Sequence, residues 1–350
     1  KLKRNLREMA EAASARGVAL RPHFKTHKTV EIARMQLDLG AIGITTAKLS
    51  EAEVLAEHGV RDLFVCYPIV GAAKLERLRR LARTANLMTL VESEEGARGL
   101  SDAMRGEERP LDVVLDIDMG FHRVGVPPEE APRMAGVIAS LPGLRLRGVS
   151  THEGNVYSVT TPDERAALAR EQVGRLVDTA EALRREGHAI DIVSSGSTPG
   201  AAGALQVEGL TEMRPGNYVF YDVMQTALGT VPLDRCALSV VATVVSSHPP
   251  DRAVADAGSK ALTTDRGGYG GDTSTSYGVV RGRPGITVER LSEEHGWLRL
   301  DDGESLRTGD RIDIIPNHAC VVCNLFDEVA VTRGDEVVAV WKVAARGCVR

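Results

Sequence analysis

The string RPHFKTHK (residues 21–28) gathers two lysines, two histidines and an arginine within one short segment. A lysine at the end of a barrel strand is rigidly placed, and apolar walls with nearby positive charge lower its pKa. Such an amine condenses with a carbonyl to a Schiff base. Lys25 is the candidate nucleophile, with Arg21, His23, His27 and Lys28 as its cationic neighbours. Composition alone equally describes a basic loop. A second string, PNHACVVCNLFD (316–327), sets His318 and Cys320 two residues apart. On an extended backbone both side chains share one face. An imidazole beside a soft thiolate suits zinc, and two ligands are too few for a structural site, so positions stay open for water or substrate. A buried cysteine beside a polar histidine gives the same letters. Cys323 reads as packed core.

Four further strings carry polar groups. VSSGSTPG (193–200) offers Gly196, where the backbone can approach a ligand, then Ser197, Thr198 and Pro199 at a helix start. Free N–H groups there bind phosphate, or the segment is simply a capped helix. THEGNVY (151–157) supplies His152 and Tyr157 for stacking or hydrogen bonding, and Asn155 to orient a substrate group. DIDMGFHRVGV (116–126) supplies Arg123 for an anion, or for a surface salt bridge. RPGNYVFYD (214–222) supplies Tyr218 and Tyr221.

These residues need a scaffold. Apolar runs at 18–22, 41–45, 62–66, 87–91, 113–117, 146–150 and 190–193, with a weaker one at 212–214, read as strands. Helical patterns lie between them, as at 29–39, 50–58, 72–82, 129–140 and 162–186. Eight strands separated by helices predict a (β/α)₈ TIM barrel rather than an open doubly wound sheet. Lys25, Thr46, Tyr67, Glu92, Asp118, His152, Ser195 with Gly196, and Arg214 stand at or just past the strands' C-terminal ends. That rim is where barrels build sites, commonly with phosphate after strands seven and eight. From residue 233 the pattern turns to short β-rich runs at 237–245, 253–256, 286–291, 297–300, 311–315, 328–331 and 337–343, without a useful helical period. The expected domains are therefore 1–232, a barrel, and 233–350, a β-domain with a flexible glycine-rich loop at 266–271. The opening KLKRNLREMA reads as the inside of an amphipathic helix, so a preceding segment is expected.

Composition narrows the function classes. The 350 residues are 43% hydrophobic and 26% charged, which supports a real core and an ordinary surface. A net charge of −5 gives no reason to expect nucleic acid or anionic lipid as a partner. No apolar run reaches membrane-spanning length. Five cysteines without a framework spacing predict a reducing cytoplasm.

RPHFKTHK resembles the cofactor-lysine motif of the D-threonine aldolase and D-serine dehydratase family, and the other strings follow in that family's order across nearly the whole chain. The resemblance implies an alanine-racemase-type barrel with a C-terminal β-domain, pyridoxal 5′-phosphate (PLP) on Lys25, and a homodimer. It implies a phosphate cradle at Gly196, Ser197 and Thr198, with Tyr218 near the cofactor edge. It also implies a divalent metal, Zn or Mn, on His318 and Cys320, and a small D-amino acid as substrate. LSEEHG (291–296) recurs in the family, with no independent signal from His295. Aldolase-like members carry histidine where this chain has Asn155, and aspartate where it has Cys320; HxGNxY and HxC resemble the dehydratases. Asparagine is no general base at neutral pH, so dehydration of D-serine or D-threo-3-hydroxyaspartate is the expected reaction. Retro-aldol cleavage of D-threonine, with His152 or a metal-bound hydroxide as base, is the alternative. A racemase needs two bases and no metal, and a non-catalytic PLP carrier resembles a lone barrel, so both fit less well.

Overall fold

The computed structural model describes residues 1–248, 252–267 and 276–350. Helix α1 (Leu2–Ser14) leads into β1 (Ala19–Leu20). Next come α2 (Val30–Asp38), β2 (Ile44–Thr46), α3 (Leu49–Glu57), β3 (Asp62–Pro68), α4 (Ala72–Ala82), β4 (Asn86–Val91), α5 (Glu94–Ala103) and β5 (Leu111–Asp116). The alternation continues with α6 (Ala131–Ser140), β6 (Leu144–Ser150), α7 (Pro162–Arg185), β7 (Ile192–Ser195), α8 (Ala201–Ala204) and β8 (Glu212–Met213). The eight strands form one parallel sheet in the order β1-β8-β7-β6-β5-β4-β3-β2. Its two ends meet through a parallel bridge between His23 and Thr45. The Ile42 and Thr45 N–H groups donate across this seam to Leu20 O and Pro22 O, each at 2.9 Å. β1 and β8 are shorter than the sequence pattern suggests because both chains turn at once into loops of the rim. β7 ends two residues later than expected, placing Ser195 inside the strand.

Side-chain alternation sorts the barrel into layers. Leu63, Leu87, Val113 and Val149 face outward into the main core under the helices. Phe64, Met88, Leu90 and Val114 form a separate cluster, the inner layer that fills a parallel barrel. Helix α7 starts where it does because Thr161 and Glu164 form a capping box with Pro162 in the first turn. Its buried Arg165 donates to Val156 O at 2.9 Å, Val159 O at 2.6 Å and Leu228 O. That fork pins the loop after β6, the loop that carries His152 and Tyr157.

After α9 (Val223–Ala227) the chain builds β9 (Val240–His248), β10 (Arg252–Ala255), α10 (Ser259–Leu262), β11 (Gly278–Val280), β12 (Arg283–Leu291), β13 (Gly296–Leu300) and β14 (Arg311–Pro316). These six strands close into an antiparallel barrel, β10-β13-β12-β11-β14-β9, around Val244, Ile286, Val288 and Ile314. β11 escaped the sequence pattern because it holds only three residues. The glycine-rich stretch is described only at Arg266 and Gly267; the remainder of 266–271 lies outside the described residues. Helix α11 (Ala319–Cys323) and the hairpin of β15 (Glu328–Arg333) and β16 (Glu336–Lys342) complete the chain. A shared core joins both halves: Leu6 and Met9 of α1, Met213 and Tyr218 pack with Ile315, Ala319, Cys323 and Val343. Among the described residues no helix is long and apolar enough to cross a membrane.

Replacing Arg165 by methionine keeps the volume but strands three carbonyls. It is expected to lower unfolding free energy by about 2–3 kcal/mol in urea denaturation. It should also speed proteolytic cleavage within residues 152–160, whereas an exposed control such as Arg105→Met should change neither.

Candidate active site

The KTHK segment folds into a single 3₁₀ turn, Phe24–Thr26, directly after β1, and the rest of the protein reads it one residue at a time. His23 Nδ1 accepts the Lys25 N–H at 3.4 Å and caps the turn. Thr26 Oγ1 lies 3.2 Å from Cys320 Sγ. Cys323 Sγ donates to His27 O at 3.2 Å. Lys28 Nζ donates to Asn324 Oδ1 at 2.8 Å. Three successive residues are thus clamped by α11 and its C-cap, while the Lys25 side chain has no hydrogen bond or ion pair among the described residues.

The charges around Lys25 differ from those read off the neighbouring letters. Arg21 is not one of them: its Nε bonds Glu212 Oε2 at 2.7 Å. Lys28 turns away to a buried pair with Glu51 at 3.4 Å. His27, fully buried, has its pKa pushed down to about 3 by desolvation and is neutral. The groups in electrostatic reach come from other strands instead. Burial first, then the charges of Lys25 and Arg214, hold both His23 and His152 well below the ordinary histidine value. Arg214, 3% exposed, donates to Ser194 Oγ and to Thr151 O at 2.9 Å, and its guanidinium stacks 5.5 Å from the Phe64 ring. Asp116, bonded by Ser150 Oγ at 2.7 Å, is pushed up to about 6 by burial.

The loop after β7 is only partly the cradle that its letters suggest. Glu153, fully buried, accepts from Ser195 Oγ at 2.7 Å, Gly196 N at 3.2 Å, and Ser197 N at 2.8 Å with Ser197 Oγ at 3.2 Å. The N–H groups of Gly196 and Ser197 are therefore already committed to a carboxylate. Gly196 is small for β8 and not for a ligand, since a Cβ there would sit 2.5 Å from Arg214 N. Thr198 Oγ1 accepts the Tyr218 N–H at 3.1 Å, leaving its hydroxyl hydrogen to donate elsewhere. Among the described residues, no acceptor takes the N–H of Thr198 or Gly216. These open donors lie on the β7 and β8 loops, which the Thr198–Tyr218 bond ties together, and they fit an anion. Tyr218 supports them from behind: its ring is wholly buried and its hydroxyl accepts from Gln36 of α2 at 2.9 Å, so its backbone and not its ring serves the rim.

Across the mouth, Asp118 gathers the N–H groups of Gly120, Phe121 and His122 at 2.8–3.0 Å, and these bonds outweigh partial burial to keep its pKa low. This knot presents Arg123 at the surface, 5.1 Å over the Phe121 ring, which in turn meets His152 edge-on at 5.7 Å. Asn155 Nδ2 donates to Gly120 O at 3.0 Å, tying this knot to the β6 loop, and its Oδ1 is buried without a partner. Tyr157 closes the same 3₁₀ turn, Gly154–Tyr157, half-buried.

His318 and Cys320 are neighbours for a reason other than strand alternation. His318 (φ −130°, ψ 99°) is the N-cap of α11 and Cys320 lies in its first turn, so a strand-to-helix transition brings them together. His318 Nδ1 lies 2.8 Å from Asp265 Oδ2. Burial opposes both charges, yet the facing thiolate and the Asp265 bond raise the His318 pKa well above the usual value, and His318 lowers that of Cys320. A thiolate is the form that coordinates metal. Among the described residues no set of three His, Cys, Asp or Glu side chains could hold a metal ion. The chemistry of this two-residue set nevertheless fits a divalent cation that keeps water positions. Buried polar atoms without partners stand beside it: Asn217 Oδ1, whose Nδ2 is 3.7 Å from Cys320 Sγ, and Asn317 Oδ1. Thr26, Glu153, Asp222 and Asp265 were not singled out from the sequence. Each lies near a motif, but only the fold turns its side chain toward one.

Residues 1–223 match the family "Alanine racemase, N-terminal domain" and residues 237–332 match "Putative serine dehydratase domain". D-threo-3-hydroxyaspartate dehydratase of Delftia sp. HT23 is 35% identical, over 98% of this chain and 94% of its own. D-threonine aldolase of Arthrobacter sp. is 34% identical over 98% and 89%, and D-serine dehydratase of Dictyostelium discoideum 29% over 95% and 91%. The crystal structure of D-threonine aldolase from Filomicrobium marinum superposes with a TM-score of 0.91 at 35% identity, covering 100% of this chain and 94% of that one. The chain belongs to the alanine-racemase-like family that includes the D-serine dehydratases and D-threonine aldolases, and it is a PLP-dependent lyase.

Proposed function

We propose that this enzyme eliminates water from a small β-hydroxy-D-amino acid, D-serine or D-threo-3-hydroxyaspartate, giving a keto acid and ammonia with the help of a divalent cation. The observation that carries the reading is the 3.2 Å contact between Thr26 and Cys320. It ties Cys320 to the residue next to Lys25, so His318 and Cys320 would hold a cation close to the lysine that would carry the cofactor. When bound, PLP supplies the electron sink for the α-carbon and a Zn or Mn ion supplies Lewis acidity at the β-hydroxyl. Lys25 Nζ anchors the cofactor and then takes the α-proton. Thr198 and Gly216 face its phosphate, while Arg123, His152 and Tyr157 border the substrate's side of the mouth. A D-threo-3-hydroxyaspartate dehydratase with a cysteine replaced by alanine has been solved in the metal-free form, which supports a cysteine ligand in enzymes of this kind.

Retro-aldol cleavage is the second reading, and it needs a base for the hydroxyl proton. Asn155 has no basicity, and burial beside Lys25 and Arg214 depresses His152 far from the pH where a general base works best. The two domains are taken to divide at 232/233, a boundary supported by family matches that end at 223 and resume at 237.

Purified enzyme given PLP, Zn²⁺ or Mn²⁺ and D-serine or D-threo-3-hydroxyaspartate should release pyruvate or oxaloacetate with one ammonia per turnover. Chelation should reduce that rate by at least tenfold and added metal should restore it. Glycine plus an aldehyde from D-threonine, at a higher kcat/KM, would overturn the dehydratase reading. Lys25→Ala should retain no PLP after borohydride reduction and denaturation, where the wild type keeps one per chain. Retention at another lysine in peptide mapping would remove Lys25 from its role.

A further inference from the structure

Asp265 lies three residues past the end of α10, outside every motif read as functional. Its carboxylate is nevertheless held as if its direction mattered. Oδ2 faces His318 Nδ1 at 2.8 Å, and Oδ1 accepts the Gly267 N–H at 2.7 Å. Its N–H donates to Thr263 Oγ1 at 3.2 Å, and its carbonyl accepts from Asn317 Nδ2, also at 3.2 Å. Asn317 immediately precedes His318, and its own N–H is fixed to Tyr277 O at 3.1 Å. Thr263 takes up a left-handed φ of 60°, unusual for a β-branched residue, at the point where the loop turns toward His318. The loop thus delivers one oxygen to one ring nitrogen and stitches itself to the residue beside that ring.

We infer that Asp265 is the positioning residue of the cation site: it holds the His318 proton on Nδ1 and so leaves Nε2 as the atom that binds metal. The inference rests on the reading of His318 and Cys320 as the ligands. An imidazole can coordinate through either nitrogen, and the partner of the other nitrogen decides which. Here that partner is a carboxylate whose second oxygen is already occupied, so it cannot rotate away without losing the Gly267 bond. Thr26 Oγ1 does the matching task for Cys320 Sγ from the barrel side.

The arrangement makes an ordering that charge alone does not. In Asp265→Asn the single amide oxygen is claimed by Gly267 N–H, so the NH₂ group faces His318 and demands an acceptor at Nδ1. That moves the ring proton to Nε2 and blocks coordination. Asp265→Ala merely frees the ring. Both variants lose the same charge, yet Asn should bind metal more weakly than Ala.

The test titrates Mn²⁺ into chelator-stripped, PLP-loaded full-length protein by calorimetry, for wild type, Asp265→Asn, Asp265→Ala and His318→Ala. Asp265→Ala should weaken binding about 10-fold and Asp265→Asn about 100-fold, with PLP content and Tm unchanged. ¹⁵N-histidine NMR of the Zn²⁺-loaded wild type, which needs no variant to fold, should show His318 protonated at Nδ1 and coordinated through Nε2. Coordination through Nδ1, or affinities of both Asp265 variants within threefold of wild type, would overturn the inference. Wild-type affinity that His318→Ala leaves intact would instead remove the ligand reading, and the inference with it.

Discussion

The site depends on one junction: the short turn Phe24–Thr26 lies against helix α11, so that Thr26, His27 and Lys28 meet Cys320, Cys323 and Asn324 in order. A barrel strand can aim a lysine but cannot by itself bring a thiolate and an imidazole beside it. The second domain does so, and the shared core of Met213, Tyr218, Ile315, Ala319 and Cys323 makes the docking rigid. Side chains on separate elements hold productive geometry only where such packing leaves them no alternative. The carboxyl-terminal stretch adds to the clamp, since Lys28 Nζ also donates to Cys348 O at 3.3 Å and Ala345 N–H donates to Lys28 O at 3.1 Å.

The barrel was legible because its signals are local and periodic. Alternation at 62–66, 87–91 and 113–117 is the same alternation that divides Leu63 from Phe64 and Val113 from Val114 between the two layers. Lys25 was singled out through the resemblance of one string, and its role is part of the proposed function. What was not legible was electrostatic. Arg21 and Lys28 are near Lys25 in sequence but are paired with Glu212 and Glu51, while Arg214 and Arg123, far along the chain, supply the charges that act with Lys25 on His23 and His152. The His318–Cys320 spacing suggested one face of a strand, whereas the backbone changes from extended to helical between the two residues. Asp265, 53 residues before His318, carried no sequence signal at all.

Glu153 shows why a polar motif is a poor guide to its own ligand. The Ser-Gly-Ser sequence at 195–197 has the composition of an anion cradle, and it does hold an anion, but that anion is the protein's own buried carboxylate. Four donors repay the desolvation of Glu153 and freeze the loop. The freezing leaves Thr198 and Gly216 with open N–H groups at a fixed spacing. An internal carboxylate thus takes the donors that the motif offers, and the proposed phosphate site rests on the ones next to them.

Several buried polar side-chain atoms have no partner among the described residues. Asn217 Oδ1, Asn317 Oδ1 and both amide atoms of Gln225 are buried near α11. Each such atom costs about 1–3 kcal/mol where it stays unpaired, and a fold gains nothing from placing several together. They are tolerable where a hydrated cation completes the network, because its waters bring hydrogen bonds that the chain lacks. A cation bound at the proposed site would therefore stabilise this junction, because a ligand that binds only the folded state stabilises it by mass action.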